Sequence, residues 1–411
     1  MSRMPKILYV TPASPLLDAY GAQQRVLNIS RLLSRFGDVS FFLVPHDPDY
    51  EQTASRTSRD VDIRKIVREL RIEGNGRLDR LRHRLRYELD PTYLATHHLT
   101  VGDADRRALL QLMQDHDVTW VHTIRTANLF GIHRWHRSVL DVDDLPSRVY
   151  RSNVESGRNP IRRLLDSRLS SMWHRRERLL TDRFDAVTVC SEEDRQYLGN
   201  HARIHVIPNG FNRAETRRQL DSESPRVGFI GTCKYRPNAE GVEWFIREVW
   251  PLVKRDLPST QMRLIGRETE GYLTKLGPSI CGLGWLEDPS QEVATWSAMI
   301  VPIKSGGGTR IKIAEGFARR CPIVATELGA FGYDVRNEGE LLLANSASDF
   351  AAACTRLIRD PRLGEALAER AHKRFLEKWT WDSFEKRVKT VLDECISSNE
   401  PVRDGILTVA S

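Results

Sequence analysis

The sequence predicts an α/β protein with two doubly wound, Rossmann-like domains, each built on a parallel sheet. Three observations predict this fold class. Apolar runs of strand length alternate with helical patterns along most of the chain. The turn Pro208-Asn209-Gly210 and a polar stretch at 212–225 interrupt the alternation near its middle. A chain of 411 residues is also longer than a domain with a single hydrophobic core usually is, so two domains are expected.

The first domain is predicted over residues 1–210. Its strands are short apolar runs at 6–11, 39–45, 120–124, 139–142, 186–190 and 204–207. Gly21 opens a helical pattern that ends near Gly37, so the first two strands and this helix form one βαβ unit. The unit lacks Gly-x-Gly-x-x-Gly, and the chain lacks a Gly-x-x-x-x-Gly-Lys-Ser/Thr loop. A nicotinamide or flavin cofactor is therefore poorly supported.

The second domain is predicted over residues 225–378. Its strands are expected at 227–231, 262–266, 280–286, 299–303, 323–326 and 341–344. The last helical pattern, about 380–398, has Phe384, Val388, Val391 and Leu392 at helical spacing. Residues from Pro401 onward are expected to be weakly ordered.

Residues 301–326 are the most informative stretch of the chain. A buried strand is followed by Gly306, Gly307 and Gly308, which allow positive φ and close approach of a ligand to the main chain. Thr309 is expected to cap the next helix, whose free N–H groups suit an anion such as phosphate. The alternative is a tight turn before a surface helix with solvated charges.

Composition excludes several classes of protein. Hydrophobic residues make up 40% of the chain and charged residues 28%, as in globular proteins. No apolar run approaches the roughly 20 residues of a membrane span, and the N-terminus lacks the pattern of a signal peptide. The six scattered cysteines include no Cys-x-x-Cys pair, so zinc and a disulfide framework are not expected. A cytoplasmic location follows as the expectation.

The net charge of +7 is concentrated in two segments. Residues 64–86 carry nine basic residues against three acidic ones, and residues 148–183 carry ten arginines against four acidic residues. Ile63, Ile66, Val67 and Leu70 give the first segment the apolar stripe of a basic amphipathic helix, which predicts peripheral contact with an anionic membrane surface. A solvated basic face is the alternative. Nucleic-acid binding is not expected, because no recognition motif accompanies the charge.

The chain resembles family 4 glycosyltransferases of the GT-B fold, in which two Rossmann-like domains face each other across a cleft. The resemblance rests on Gly-Gly-Gly-Thr-Arg-x-Lys-x-x-Glu at 306–315 and covers nearly the whole chain. Further matching segments lie at 11–26, 139–147, 187–194, 206–210 and 229–245. The set looks closest to bacterial sugar transferases of polysaccharide assembly. In such folds the final helix returns to the first domain.

The resemblance implies which residues bind the donor. Glu315 would hold the ribose hydroxyls of a sugar nucleotide, and the loop amides would hold its diphosphate. The other donor-binding candidates lie at glycine turns, among nearby cations and at the expected position of the base: Gly21, Gly231, Lys234, Arg236, Trp285, Gly307, Gly308, Thr309, Arg310 and Lys312. The donor would be UDP- or GDP-linked, with no metal or other cofactor. The acceptor would be a glycan or a lipid-linked molecule.

Three positions depart from the family pattern. Family members usually carry two glutamates with seven residues between them. The first of these positions is Gly307 here, so only Glu315 remains. The common arginine after the first strand of the second domain is Thr232, for which Lys234 and Arg236 are candidate replacements. The histidine that many members place near the acceptor aligns with Ile124.

The catalytic candidates are His122, Arg125 and Asp143. His122 shares a strand face with Ile124, because side chains alternate along a strand, though a core histidine is an equally good interpretation. Asp143 and Asp144 follow a strand, where a turn or helix cap is the alternative to a role in the cleft. The leading hypothesis is a retaining glycosyltransferase of cell-surface polysaccharide biosynthesis. The alternatives are a non-catalytic GT-B partner that keeps the nucleotide-sugar pocket and a sugar-nucleotide epimerase of GT-B architecture.

Overall fold

The computed structural model describes most of the chain in two compact units. The described residues are 3–12, 21–44, 62–67, 69–72, 76–94, 99–157, 159–214, 219–220, 223–272, 277 and 279–397. Unit 1 comprises Met1–Arg151, Pro160–Pro208 and Phe384–Ser411. Unit 2 comprises Ser152–Asn159 and Asn209–Ser383. The tail from Pro401 and part of the matching segment 11–26 lie outside the described residues.

Unit 1 is built on a seven-stranded parallel sheet with the order β3-β2-β1-β6-β7-β8-β9. Its strands are β1 (Lys6–Thr11), β2 (Asp38–Leu43), β3 (Asp62–Ile66), β6 (Val118–His122), β7 (Ser138–Asp141), β8 (Ala186–Val189) and β9 (Ile204–Val206). A separate antiparallel pair joins β4 (Arg71–Ile72) to β5 (Leu99–Thr100). The order reverses at β1, so chain crossovers cover both faces of the sheet.

The helices of unit 1 mostly bury apolar side chains. They are α1 (Gly21–Leu33), α2 (Arg77–Leu89), α3 (Asp103–Asp115), α4 (Ile124–Asn128), α5 (Pro146–Ser156), α6 (Pro160–Glu177), α7 (Leu180–Arg183), α8 (Glu192–Tyr197) and the chain's last described helix, α15 (Glu385–Ser397). Helix α5 continues past Arg151, and its last residues belong to unit 2. Helix α15 buries Val388, Val391 and Leu392 and contacts α1 and β7.

Unit 2 has a six-stranded parallel sheet with the order β12-β11-β10-β13-β14-β15. Its strands are β10 (Arg226–Ile230), β11 (Gln261–Ile265), β12 (Ile280–Gly282), β13 (Trp296–Val301), β14 (Ile323–Ala325) and β15 (Leu342–Leu343). Its helices are α9 (Arg236–Trp244), α10 (Trp250–Asp256), α11 (Ser290–Ala294), α12 (Ile311–Ala318), α13 (Ala347–Arg359) and α14 (Pro361–Lys378), and a π-helical turn, Phe245–Val249, links α9 to α10. Gly228 lets β10 lie against the indole of Trp296, because a Cβ there would come within 2.1 Å of the ring.

Two predictions about local structure are wrong. The stripe of Ile63, Ile66, Val67 and Leu70 does not lie on a helix, because β3 pairs in parallel with β2 over this segment. Strand β6 ends at His122, two residues earlier than predicted, because Thr123 has a φ of 72° and starts the turn into α4. His122 and Ile124 therefore do not lie on a common strand face.

None of the helices in the described part of the chain is long and apolar enough to cross a membrane.

Candidate functional site

The glycine loop after β13 has backbone geometry that requires glycine. Gly306 has a φ of 100° and Gly308 a φ of 70°, both in the left-handed region that other residues rarely adopt. A Cβ on Gly306 would also come within 3.0 Å of the Pro237 ring. Ser305, just before the loop, donates to Glu240 at 2.6 Å and so ties the loop to α9.

Arg310 holds the loop from inside. Its guanidinium donates to the carbonyls of Gly307, Gly308 and Ser305, and the residue is only 7% exposed. Arg310 was a donor-binding candidate from the sequence, but these hydrogen bonds already engage its side chain. Its function in this structure is to fix the carbonyls of the loop.

The amides of the loop are the groups left for a ligand. Within the described residues, the N–H groups of Gly307, Gly308 and Thr309 donate no hydrogen bond, although both glycines are buried. Buried donors of this kind normally have a partner, and adjacent loop amides before a helix N-terminus form a concave site for anions. The amides can therefore receive a phosphate group of a ligand.

Thr309 does not cap α12 as the sequence suggested. The N-cap position is occupied by Arg310, which makes no side-chain capping bond. The hydroxyl of Thr309 instead accepts a hydrogen bond from Asn209 at 3.0 Å. This links the loop to the Pro-Asn-Gly turn, a connection that sequence analysis missed because the two residues lie 100 positions apart.

Lys312 places a cation beside the carboxyl end of β10. Its ammonium donates to Asn238 at 2.7 Å and lies 4.5 Å from the Phe229 ring centroid. A Cβ at Gly231, where φ is 151°, would lie 3.1 Å from the same Nζ atom. Burial and the charge of Arg310 lower the pKa of Lys312 to about 7. Among the residues that the structure describes, no carboxylate hydrogen-bonds to this ammonium, so it is suited to an anionic ligand.

Glu315 lies one turn further along α12 and is held by Arg319. The Nε of Arg319 donates to Glu315 Oε1 at 3.1 Å, while its Nη1 donates to the Ser290 hydroxyl at 2.6 Å. The side chains of Glu315 and Arg319 are 12% and 8% exposed. The carboxylate is thus fixed in direction, a requirement for accepting hydrogen bonds from two sugar hydroxyls.

The other donor-site candidates are more exposed. Lys234 lies on the surface, and Arg236 is engaged by Glu240 at 2.6 Å. Trp285 is 48% exposed, with the guanidinium of Arg267 6.0 Å from its ring centroid, and it follows Gly284, which has a φ of 69°. An indole exposed to this extent is available for stacking on a ligand.

In unit 1, a buried ionic cluster lies at the carboxyl ends of β6 and β7. Asp141 Oδ1 accepts from Arg25 at 2.6 Å and from the Thr188 hydroxyl at 2.6 Å, and Asp141 Oδ2 lies 3.1 Å from His122 Nδ1. Burial opposes the charge, but Arg25 holds the pKa of Asp141 well below its usual range. Arg25 also donates to the carbonyl of Ile207 at 3.0 Å.

This cluster changes the interpretation of His122. Its ring is fully buried against Asp141, which favours a core histidine over a group that contacts substrate. Arg25 was missed by sequence analysis. An arginine inside the apolar helical run of α1 was the available signal, but nothing in the sequence identified its partner.

The remaining unit 1 candidates lie near the same sheet edge. Arg125 is exposed on α4 directly after β6, and Asp143 is half-buried after β7, with Cys190 Sγ 3.6 Å from its Oδ1. Gly21 is the first residue of α1. Within the described residues, no group of three or more His, Cys, Asp or Glu side chains is arranged to hold a metal ion.

Two family models match consecutive parts of the sequence. The model described as Glycosyltransferase Family 4 matches residues 19–215, and the model described as Glycosyl transferases group 1 matches residues 224–360. The chain belongs to the family 4 glycosyltransferases. This glycosyltransferase has the α/β GT-B fold, and both the family and the fold class predicted from the sequence are confirmed.

The solved structures similar to this glycosyltransferase share its fold at low sequence identity. HepE from Anabaena, crystallised in complex with UDP and glucose, is 14% identical with a TM-score of 0.62, over 95% of this chain and 99% of HepE. WaaG, a glycosyltransferase involved in lipopolysaccharide biosynthesis, is 12% identical with a TM-score of 0.61, over 94% of this chain and 99% of WaaG.

A curated relative is an uncharacterized 44.6 kDa protein in the cps region of Klebsiella pneumoniae. It is 23% identical over an alignment of 143 residues, and the match covers 32% of this chain and 37% of the relative.

Proposed function

We propose that this glycosyltransferase moves a sugar, with retention of anomeric configuration, from a UDP- or GDP-linked donor to a glycan or lipid-linked acceptor. The reaction would serve cell-surface polysaccharide biosynthesis, on the cytoplasmic side and peripheral to an anionic membrane. HepE, crystallised with UDP and glucose, and WaaG, a glycosyltransferase involved in lipopolysaccharide biosynthesis, support this class of donor and pathway.

The observation that carries the proposal is the set of groups around the glycine loop. Three loop amides, the ammonium of Lys312 and the fixed carboxylate of Glu315 lie within one short stretch, residues 307–315. The amides and the ammonium are suited to a diphosphate, and the carboxylate to the two hydroxyls of a ribose. Gly231, Lys234, Arg236 and Trp285 extend the proposed site toward the rest of the donor.

The same groups support a reaction that requires no metal. A departing nucleoside diphosphate gathers negative charge, which must be met by groups already oriented toward it. Amides and the Lys312 ammonium can supply that positive charge. Activity should therefore persist in excess chelator, and a loss restored only by a divalent cation would contradict this part of the proposal.

Arg125 and Asp143 are the candidates for contact with the acceptor or reacting sugar in unit 1. Both follow carboxyl ends of parallel strands, where ligands of α/β folds bind. Arg125→Ala and Asp143→Asn should lower kcat while leaving the donor dissociation constant unchanged. Because His122 is buried in the Asp141 cluster, His122→Asn should reduce stability along with activity.

The deciding experiment combines a binding screen with a transfer assay. Thermal shift with UDP, GDP and their sugars should identify the nucleotide, since a ligand at about one hundred times its dissociation constant stabilises by about 2.7 kcal/mol. Sugar transfer from that donor to lipid extract should follow, with the product anomer assigned by NMR.

The alternative outcomes of these assays differ. Binding without transfer to any acceptor would favour the non-catalytic partner, which the replacement of the usual glutamate by Gly307 keeps as an alternative. Conversion of the donor sugar without an acceptor would indicate the epimerase. Absence of nucleotide binding would overturn the proposed site.

A further inference from the structure

Helix α2 exposes its leucines to solvent. The exposed fractions are 81% for Leu78, 55% for Leu81, 51% for Leu85 and 74% for Leu89. Spacings of three and four residues put the four side chains on one face, within an arc of roughly 80°. A surface helix of a globular protein normally turns such a stripe toward the core.

The opposite face of α2 is the one that packs against the unit. Tyr87 accepts a hydrogen bond from Trp173 Nε1 at 3.1 Å through its hydroxyl, and its carbonyl accepts from Arg176 Nη2 at 2.7 Å. His83 is hydrogen-bonded to Tyr93. The helix is thus anchored through polar and aromatic groups, and its leucine stripe is directed away from the core.

Arginines border the leucine stripe on both sides. Arg82 and Arg86 lie along one side, Arg77 and Arg84 lie along the other, and all four are exposed. The acidic Glu88 is neutralised by Arg84 at 3.4 Å and by Arg168 at 2.6 Å. The resulting surface is apolar along its centre and cationic at its edges.

Helix α6 continues this surface. Leu164 is 66% exposed and Leu165 is 46% exposed, and both share a helix face with Arg168. The Arg168–Glu88 ion pair joins this face to the edge of the leucine stripe on α2. Of the twelve large hydrophobic side chains exposed in the described residues, seven lie on α2 and α6. Such a concentration indicates an interaction surface rather than scattered exposure.

We infer that α2 and the first half of α6 form a docking surface for an anionic phospholipid bilayer. Leucines entering the acyl boundary and arginines level with lipid phosphates match this pattern. A nucleic acid would use the arginines but leave the leucines in water. A second copy of the chain would bring like charges together. The inference deepens the proposed function, because it names the surface by which the enzyme would reach a lipid-linked acceptor.

The surface differs from the one that the sequence predicted. The apolar stripe proposed at residues 63–70 is a strand edge and its continuation, with Val67 buried and Leu70 packed against the core. The basic character of the segment was recognised from the sequence. The exposed apolar residues that accompany these cations are the leucines of α2, at residues 78–89.

The test is co-sedimentation of the full chain with phosphatidylglycerol-containing vesicles and with pure phosphatidylcholine vesicles. The wild type should bind the anionic vesicles and release them in high salt. The variant Leu78→Ser/Leu81→Ser/Leu85→Ser/Leu89→Ser should bind at least tenfold more weakly. Leu376→Ser, at a leucine 39% exposed on α14 of unit 2, is the matched control and should bind as the wild type.

A charge variant tests the contribution of the arginines to binding. Arg77→Gln/Arg82→Gln should weaken binding to anionic vesicles severalfold and reduce its dependence on salt. All variants should keep the wild-type melting temperature within about 2 °C, because every replaced side chain is exposed.

Each contrary outcome has a distinct meaning. Equal binding to both lipids, no binding, or binding unchanged in the leucine variant would overturn the inference. Concentration-dependent dimerisation lost in the leucine variant would assign the face to a second copy, and salt-sensitive RNA binding without vesicle binding would assign it to nucleic acid. Vesicle binding without any sugar transfer would instead remove the proposed function and leave the docking surface standing.

Discussion

The ammonium of Lys312 offers the sharpest test of the donor site. Lys312→Met keeps a long, flexible apolar side chain and removes the charge. In the wild type, that charge is held 2.7 Å from Asn238 Oδ1 in surroundings that lower its pKa from 10.5 to about 7. We therefore expect the variant to lose ligand affinity without losing stability.

The expected magnitudes follow from these surroundings. The pKa depression corresponds to at most about 5 kcal/mol of unfavourable charge burial. Partial exposure of Lys312 and the hydrogen bond lost by Asn238 reduce the expected gain in the free energy of unfolding to about 1–2 kcal/mol at neutral pH. A lost charge-assisted contact of about 1.5–3 kcal/mol should weaken nucleotide binding by at least about tenfold.

The dependence on pH has a definite sign. The unfolded chain keeps the Lys312 proton up to about pH 10.5, whereas the folded chain releases it near pH 7. The free energy of unfolding of the wild type therefore rises with pH between these values, and the advantage of the variant shrinks. Nucleotide binding needs the protonated form, so wild-type affinity should fall as pH rises above 7 and binding should take up a proton.

Calorimetric titration with UDP and GDP at about pH 6.5 and about pH 8.5, in buffers of different ionisation enthalpy, measures both quantities. Lys373→Met, on the exposed face of α14, is the control and should bind as the wild type. Unchanged nucleotide affinity in folded Lys312→Met, or binding without proton uptake above pH 7, would refute the assignment of Lys312 to the phosphate site.

Three further predictions follow from buried charges. Glu315→Ala should weaken nucleotide binding at least about tenfold and also destabilise the fold by about 1–3 kcal/mol, because Arg319 loses its carboxylate partner. Calorimetric titration and urea unfolding separate the two effects, and full affinity in the folded variant would contradict the ribose role. Burial raises the pKa of Glu177 to about 7, so the wild type should lose stability from about pH 4.5 to 7. Glu177→Gln should flatten the dependence of stability on pH and raise the melting temperature at pH 8. A pH profile equal to that of the wild type would contradict the raised pKa of Glu177. Arg25→Met leaves Asp141 buried without its main partner and should cost about 3–5 kcal/mol by urea unfolding. A loss below about 1 kcal/mol would mean that the cluster tolerates the unpaired carboxylate.

The sheets were largely predictable because most of their strands are buried on both faces. Such strands appear in the sequence as apolar runs, and β1 over Lys6–Thr11 was predicted without error. Strand β3 was missed because its apolar residues also fit a helical spacing. Its pairing with β2 decides the structure, and that partner is distant in sequence.

Only the features of the site that neighbouring residues specify could be predicted from the sequence. Glycines, a following helix and Glu315 specify an anion-binding loop from sequence alone. The roles of individual cations were not predictable in this way. Whether Arg310 turns into the loop and Lys312 toward Asn238 depends on packing between elements. The Arg25–Asp141 pair likewise joins residues 116 positions apart.

Helix α15 has a consequence for the synthesis of the protein. Unit 1 is assembled from Met1–Arg151, from Pro160–Pro208 and from Phe384 onward, and most of unit 2 is encoded before this last part. Strands β6 and β7 therefore leave the ribosome long before the helix that covers them. At about 5–20 residues per second, the 175 residues from Asn209 to Ser383 take roughly 10–35 s to translate. Throughout that interval the first unit is nascent and incompletely covered, so it is the part of the chain that chaperones should hold during translation.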